Sequence, residues 1–372
     1  MAKAKQYTAT ITLPDGGRKY FRSTDKEELA RKVEEAKQQL GLGINIADNT
    51  TVAQLAQLWF DTCKKPYLRP TSAETLKNTI NSYVLQPFIS CMFVRDVRPV
   101  HTARAMANLS KYSRSIQSKA YHTFVAIFRF AVDNRLIMSV PLLSTTKPGG
   151  APAEEKEPLT PEQSLKLLRA TEGTRAHLFC AIALGAGLRR EEILGLMWSD
   201  VDLDRGYLYV RHANPLNKGS TGVTSELKTK AANRDIPIAP WLVEELRTAR
   251  SASSSLYVMS SKLGGPVTPS SFKSMWHTVT MLTTDDPSLL GQPVDKRHPQ
   301  FTYQLDFYCH PHLLRHTCIT RWVEAGLDIK EIQYLAGHAT VEMTLRVYAH
   351  YQRSVRAEET AKKIQQLAVG NA

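Results

Sequence analysis

The sequence predicts a mainly α fold with small β elements (α+β). It divides into an N-terminal β-hairpin/helix module at residues 1–45, a helical domain at 50–145 and a mixed α/β domain at 157–372. Three observations lead there. A chain of 372 residues exceeds what one ordinary core organises. Apolar residues recur at helical spacing along most of the chain, whereas strict alternation is confined to a few short runs. Residues 141–158 are rich in Pro, Gly, Ala, Ser and Thr and carry the acidic run Glu154-Glu155-Lys156-Glu157, the composition of a linker.

In chain order, Tyr7-Thr-Ala-Thr-Ile-Thr-Leu13 alternates β-formers, Pro14-Asp-Gly-Gly17 supplies turn chemistry, and Arg18-Lys-Tyr-Phe-Arg22 returns as a second strand. Thr24 or Asp25 caps a helix over 27–40, which Gly41 and Gly43 stop. A hairpin plus one helix is marginal as a free fold, which suits an accessory module tethered by a linker over 41–49. From a Thr50 or Thr51 cap, Val52, Leu55, Leu58 and Trp59 share one helical face. Further helical periodicity covers 75–84, 100–109 and 115–134. In the last, Tyr121, Phe124, Val125, Ile127, Phe128 and Ala131 form a broad apolar side that reads as core. Thr160-Pro-Glu-Gln163 fits a helix start with proline in the first turn. No internal repeat is present.

Net charge is +13, with a pI near 9.5. Residues 49–148 hold 13 Lys/Arg against 4 Asp/Glu, so most of the excess sits in one segment, as a nucleic-acid-gripping module requires. Lys64, Lys65, Arg69, Lys77, Lys111, Arg114 and Lys119 are its candidates for DNA phosphate contacts. Five dispersed cysteines (Cys63, Cys91, Cys180, Cys309, Cys318) lack a C-x-x-C pair and read as buried thiols, not as disulfides or a zinc site. No apolar run reaches the roughly 20 residues that span a bilayer, and the first residues lack a secretory signal. A soluble intracellular protein is the expectation.

The third domain carries several phosphate-competent side chains. Gly185-Ala-Gly-Leu-Arg-Arg-Glu-Glu-Ile-Leu-Gly-Leu-Met-Trp-Ser-Asp200 ends one helix, turns through glycine and starts another. Arg189 lies at that turn, with Glu192 one helical turn on to brace it. A strand Tyr207-Leu-Tyr-Val-Arg211 follows. Leu227-Lys-Thr-Lys230 then approaches a turn before Arg234-Asp-Ile-Pro-Ile238. In His310-Pro-His-Leu-Leu-Arg-His-Thr317, His312 and Arg315 share a helix face, whereas His316 points away and reads as structural. Ile332-Gln-Tyr-Leu-Ala-Gly-His338 ends a helix at a glycine and is expected to expose its histidine. The next helix, 341–348, presents Thr344 and Tyr348 on one side. Each signal alone is weak; an Arg–Glu pair at a helix start is usually a surface ion pair.

In this order the motifs resemble the catalytic domain of the tyrosine recombinases, the phage-integrase family, over residues 157–350. The preceding domains resemble those of arm-binding integrases from phages or conjugative transposons. The resemblance implies a mixed α/β catalytic domain, a helical core-binding domain at 50–145 and an arm-type DNA-binding module at 1–45. Residue by residue, Arg189 and Arg315 match the two catalytic arginines, Lys228 the hairpin lysine, His312 the histidine of His-x-x-Arg and His338 the Gly-His position. Tyr348 matches the nucleophile, and Glu192 the acid supporting the first arginine. Lys230 competes with Lys228, and Tyr351 with Tyr348. Leu335-Ala336-Gly337 stands where Leu-Leu-Gly is commoner, the interval from Gly-His to Tyr is one residue longer than in many members, and 260–309 is longer and more polar than the shortest members need.

The implied reaction is site-specific recombination through a 3′-phosphotyrosine, integrating or excising a mobile element, with neither metal nor ATP as cofactor. The chain shows no dense Asp/Glu cluster and no Gly-rich P-loop. The implied partners are double-stranded DNA at core and arm sites and a homotetramer on that DNA, with room for a DNA-bending host factor or an excision factor. No membrane is involved, and the place of action is a bacterial cytoplasm or nucleoid. A tail helix over 354–368, with Val355, Ala361, Ile364 and Leu367 on one face, docks on a neighbour or on its own domain. The competing classes are a non-catalytic architectural or regulatory DNA-binding protein, a metal-dependent nuclease and a type IB topoisomerase. If the basic segment supplies most of the non-specific affinity, deleting residues 49–148 flattens the slope of log affinity against log salt in DNA titrations; an unchanged slope counts against that role.

Overall fold

The computed structural model describes residues 6–14, 16–143, 148–150, 157–216, 222–225, 233–284, 286–294 and 302–354, with the backbone alone at 346, 348 and 350–354. The chain divides into two compact units, residues 1–155 and 156–372. Helix predominates and the sheets are small. Among the described residues, no helix is long and apolar enough to cross a membrane.

In the first unit, β1 (Tyr7–Thr12) and β2 (Arg18–Ser23) pair antiparallel, with Tyr7 opposite Ser23 and Thr12 opposite Arg18. Helix α1 (Lys26–Gly41) starts where the Asp25 carboxylate accepts the Glu27 N–H at 2.8 Å. Glu27 and Glu28 in its first turn complement the helix dipole. Ile11, Ala36 and Ile46 form a small core with Phe21, Val33 and Leu40 packed against it. The stretch 41–49, expected as a tether, is therefore packed: Ile44 and Ile46 are buried, and Lys19 and Arg95 donate to the carbonyls of Ile46 and Asp48.

The helical part of this unit comprises α2 (Val52–Trp59), α3 (Pro70–Thr79), α4 (Pro87–Ser90), α5 (Pro99–Ala107) and α6 (Arg114–Asp133). Thr51 and Gln54 form a reciprocal capping box at the start of α2. Val52, Leu55, Ala56 and Trp59 face inward, but Leu58 is 51% exposed. At 100° per residue it lies about 110° from the centre of that face. After α2 and after α3 the hydrogen bonding widens into single π-helical turns, Phe60–Lys64 and Ile80–Val84. The first brings Phe60 inward directly after Trp59. Phe124, Ile127, Phe128 and Ala131 of α6 are fully buried, so these aromatics are core.

In the second unit α7 (Pro161–Thr171) begins with a Thr160–Gln163 capping box, and α8 (Arg175–Ala186) is the central helix. Cys180, Ala181, Ile182 and Ala183 of α8 are buried in succession because α7 and the helices Pro240–Ser251, Pro269–Met281 and Pro311–Glu324 pack around it. Helix α9 (Arg190–Gly195) leads to an antiparallel sheet of β3 (Val201–Asp202), β4 (Tyr207–Val210) and β5 (Arg234–Pro237), in that order. There follow α10 (Pro240–Ser251), α11 (Pro269–Met281), α12 (Pro311–Glu324), α13 (Ile329–Ala336) and α14 (Val341–Ser354). Helix α11 occupies part of the 260–309 stretch that reads only as long and polar in sequence; Phe272, Met275 and Val279 bury one face of it. The expectation of five buried thiols needs correction. Cys180, Cys309 and Cys318 are buried, but Cys63 is half-buried and Cys91 exposed, because their small side chains sit at the margin of the helical core.

Truncating Phe124 to Ala removes a fully buried ring from the core of the first unit. It should lower unfolding free energy by about 3–5 kcal/mol in chemical denaturation; a loss well under 1 kcal/mol would place the ring outside the core.

Candidate functional site

The site grows from two helix ends. Helix α8 stops at Gly187, whose φ of +61° is a left-handed conformation that glycine adopts without a Cβ clash. Two residues later Arg189 is the N-cap of α9, and Glu192 reaches back to it. One carboxylate oxygen accepts the Arg189 backbone N–H at 2.8 Å, and the other accepts its guanidinium at 2.7 Å. Helix α13 ends in the same way at Gly337, also with φ +61°.

The last carbonyls of a helix have no partner within it and form the negative end of its dipole. In α13 each of three successive carbonyls receives a different arginine. Arg234 Nε donates to Leu335 at 2.7 Å, Arg315 to Ala336 at 2.5 Å and Arg189 to Gly337 at 2.5 Å. Arg315, on α12, also donates to the Gly187 carbonyl at 2.5 Å. Both left-handed glycines thus offer their carbonyls to a guanidinium. Arg189, Glu192 and Arg315, singled out from sequence, are brought together here.

Arg234 is the member that sequence reasoning missed. Its guanidinium is fully buried and grips both oxygens of Glu192, at 3.1 and 2.9 Å. The signal was available in the strand register. Leu208, Val210, Arg234 and Ile236 form the inward face of the β4–β5 pair, with Val210 opposite Arg234 and Leu208 opposite Ile236. An arginine in phase with buried apolar residues needs a carboxylate within reach.

The charges follow from this packing. Burial pushes the Glu192 carboxyl upward, but hydrogen bonds and charge from Arg234, then the charges of Arg189 and Arg315, hold it down at about 2. Burial and the neighbouring Arg189 lower Arg315 to about 9, so its guanidinium stays charged at neutral pH. His312, in the first turn of α12, keeps solvent access; partial burial, then Arg315 and Arg189, lower its pKa against the opposing pull of Glu191.

His338 departs from expectation. It is 7% exposed, because the turn after α13 folds it inward, where its Nδ1 lies 2.9 Å from the hydroxyl of buried Thr344. Burial, then Arg315, Arg189, Arg234 and His312, lower its pKa to about 4, leaving a neutral imidazole at neutral pH. Helix α14 packs against α12 and α13, and position 348 on its backbone lies one helical turn beyond Thr344. The Tyr348 and Tyr351 side chains, Lys228, Lys230 and tail residues 355–368 lie outside the described residues.

In the first unit Lys65, Arg69, Lys77, Lys111, Arg114 and Lys119 are exposed. Lys64 lies over the Trp59 ring at 5.4 Å, Lys65 is 3.9 Å from Asp61, and Lys111 covers Tyr112 at 5.4 Å. An exposed ion pair such as Lys65–Asp61 is weak.

Replacing Glu192 with Gln leaves buried guanidiniums without their counter-charge. Its cost should be on the order of 3 kcal/mol at neutral pH. The folded carboxyl titrates near 2, below its ordinary 4.5. The stabilisation it supplies is therefore complete above about pH 5 and is lost as the pH falls towards 2. The stability gap between wild type and Glu192→Gln, measured by denaturant titration, should narrow over that interval; a gap independent of pH would contradict the ion pairing.

Comparison with known proteins bears on the same region. The model of the phage integrase family matches residues 157–354, which include the whole arginine–carboxylate cluster. A XerC-like tyrosine recombinase of Caldanaerobacter subterraneus subsp. tengcongensis is 24% identical over 375 residues, covering 92% of this chain and 91% of that protein. Tyrosine recombinase XerA of Thermococcus kodakarensis is 29% identical over 282 residues, covering 73% of this chain and 85% of that protein. Among solved structures, the Tn1549 transposon integrase in complex with a circular intermediate DNA superposes with a TM-score of 0.68 at 20% identity, covering 85% of this chain and 99% of that one. A lambda integrase tetramer bound to a Holliday junction gives 0.56 at 16% identity, covering 92% and 94%. These structures share the fold, and the family match spans more than half of the sequence: the chain belongs to the phage integrase family of tyrosine-type, site-specific DNA recombinases.

Proposed function

We propose that the chain cuts and rejoins DNA with Tyr348 as nucleophile and Arg189, Arg315, His312, His338 and Lys228 as the remaining catalytic residues, braced by Glu192. The observation that carries this reading is the gathering of Arg189 and Arg315 on the C-terminal turn of α13, beside the helix that bears position 348. A phosphodiester resists attack because its anionic oxygens repel nucleophiles. Two fixed guanidiniums offset that charge and stabilise the further charge of the pentacoordinate transition state.

The Tyr348 oxygen attacks phosphorus and the 5′-oxygen departs, leaving a 3′-phosphotyrosine that conserves the bond for rejoining. A phenol with an ordinary pKa near ~10 needs a base, and a neutral His312 can take its proton. Lys228 protonates the departing 5′-oxygen, and neutral His338 hydrogen-bonds the phosphate. No metal or nucleotide enters these steps.

The reaction in this reading integrates or excises a mobile element from a bacterial nucleoid. Residues 50–145 grip core DNA through Lys64, Lys65, Arg69, Lys77, Lys111, Arg114 and Lys119, and residues 1–45 read arm sites. Four copies assemble on two sites, a stoichiometry supported by the lambda integrase tetramer of the same fold. A DNA-bending host factor or an excision factor would set direction.

Tyr348→Phe should still bind the DNA site in gel-shift titrations but give no covalent adduct on a nicked substrate, and wild-type adduct should form undiminished in excess chelator. Adduct from the Phe variant would refute the nucleophile; loss of activity with chelator would favour a metal-dependent nuclease. Binding without any adduct from the wild type would favour a purely architectural protein.

A further inference from the structure

We propose that Arg234 is the positioning residue of this active site. By holding both oxygens of Glu192 and the Leu335 carbonyl at once, it fixes the seat from which Arg189 and Arg315 meet the DNA phosphate, without itself touching DNA. The inference rests on the reading of the site given above and deepens it.

The geometry supports this in two ways. First, Arg234 is withdrawn from solvent completely, so it cannot bind a DNA backbone running over the surface; its donors point to Glu192 and to the end of α13. Second, its contacts join three elements that are distant in sequence. Its own strand β5 is tied to α9 through Glu192, and to α13 through Leu335. The next two carbonyls of α13 carry Arg315 and Arg189. A shift of Leu335 is therefore a shift of both guanidiniums. Arginine suits this place because its planar fork serves a carboxylate edge with two nitrogens and a backbone carbonyl with the third; a lysine is a point charge that cannot span all three.

The carboxylate also depends on Arg234. Glu192 accepts two bonds from Arg189 and two from Arg234, so each oxygen takes two, and the full set requires the ionised form because a protonated oxygen gives up an acceptor site to its own proton. Burial opposes ionisation, and Arg234 is the foremost of the charges that oppose burial. The groups facing Glu192 are Arg189 from the turn before α9, Arg234 from β5 and Arg315 from α12. His338, after α13, and His312, on α12, are the titratable groups beyond them. The histidines are present in every variant below, so a pH effect confined to one variant belongs to Glu192.

The test compares wild type, Arg234→Lys, Arg234→Gln and Arg234→Gln/Glu192→Gln in the full chain. It reads the rate of covalent adduct formation on a nicked DNA site between pH 5 and 9, with DNA affinity measured in parallel. In Arg234→Gln the affinity should hold while the adduct rate falls on the order of 100-fold, as for a reacting group displaced by about an ångström. Its Glu192 pKa rises, so its rate should show an extra decline as the pH is lowered, absent from wild type and absent again from the double variant, which has no carboxyl to protonate. Arg234→Lys should remove the extra decline yet remain slower than wild type. A wild-type rate in Arg234→Gln, or a decline that persists in the double variant, overturns the proposal. Should Arg234→Gln lose its fold by circular dichroism, the lysine variant carries the test, and a wild-type rate there overturns it equally. Adduct formation by Tyr348→Phe would bring down the underlying reading instead, whatever Arg234 does.

Discussion

An ionised carboxylate withdrawn from water survives only where opposite charges and hydrogen bonds replace its hydration, and Glu192 meets that condition through Arg189 and Arg234. The dependence is mutual. Arg234 and Arg315 are themselves buried, and guanidiniums packed this closely would repel one another without an anion among them. Beside its apolar core the second unit thus holds a small ionic cluster, and the elements that contribute to it, α9, β5 and α12, are held together because each guanidinium needs the carboxylate or a helix-end carbonyl in place of its hydration. Net positive charge is left over, which a phosphate can satisfy.

The backbone does as much as the side chains. A helix that ends in a left-handed glycine turns its last carbonyls away from its own axis, and α8 and α13 both end so. Their free carbonyls are fixed dipoles with no counter-ion to lose, and they accept the arginines without neutralising them. Phosphate binding needs guanidiniums that are immobile yet still cationic. Carboxylates at every position would have supplied the immobility and removed the charge. One carboxylate with four carbonyl contacts supplies both.

The same burial sets the histidines. His312 and His338 sit in the field of the arginines, which disfavours a further positive charge, so both imidazoles are neutral at neutral pH. A neutral imidazole can accept a proton or donate one hydrogen bond, which are the two capacities the proposed chemistry asks of them. The His338–Thr344 hydrogen bond also links the arginine cluster to α14, so the helix carrying position 348 is registered against the same framework. In the first unit the charge is arranged differently: most of its lysines and arginines are exposed over an apolar helical core, and the exposed ion pairs among them are weak.

Local chemistry made much of this legible. The strands at 7–13 and 18–22, a helix start at Thr50 or Thr51, the Thr160–Gln163 helix start, the apolar side of α6 and the Arg189–Glu192 brace all depend on residues close in sequence, so spacing made them legible; that Thr51 is the cap was left to the structure. The family resemblance likewise rested on local motifs in a fixed order. Three features depended on contacts between distant segments and were decided only by tertiary structure. Ile46 lies within a core, and not in a tether, because of the surfaces that cover it. His338 is buried because Thr344 and α14 close over it. Arg234 belongs to the site because β5 places it 42 residues along the chain from Glu192 but within hydrogen-bonding distance. A sequence states which residues can bear charge, and its periodicity states which faces turn inward; the partner of a buried charge is chosen by the fold, because only the fold excludes the water that would otherwise serve.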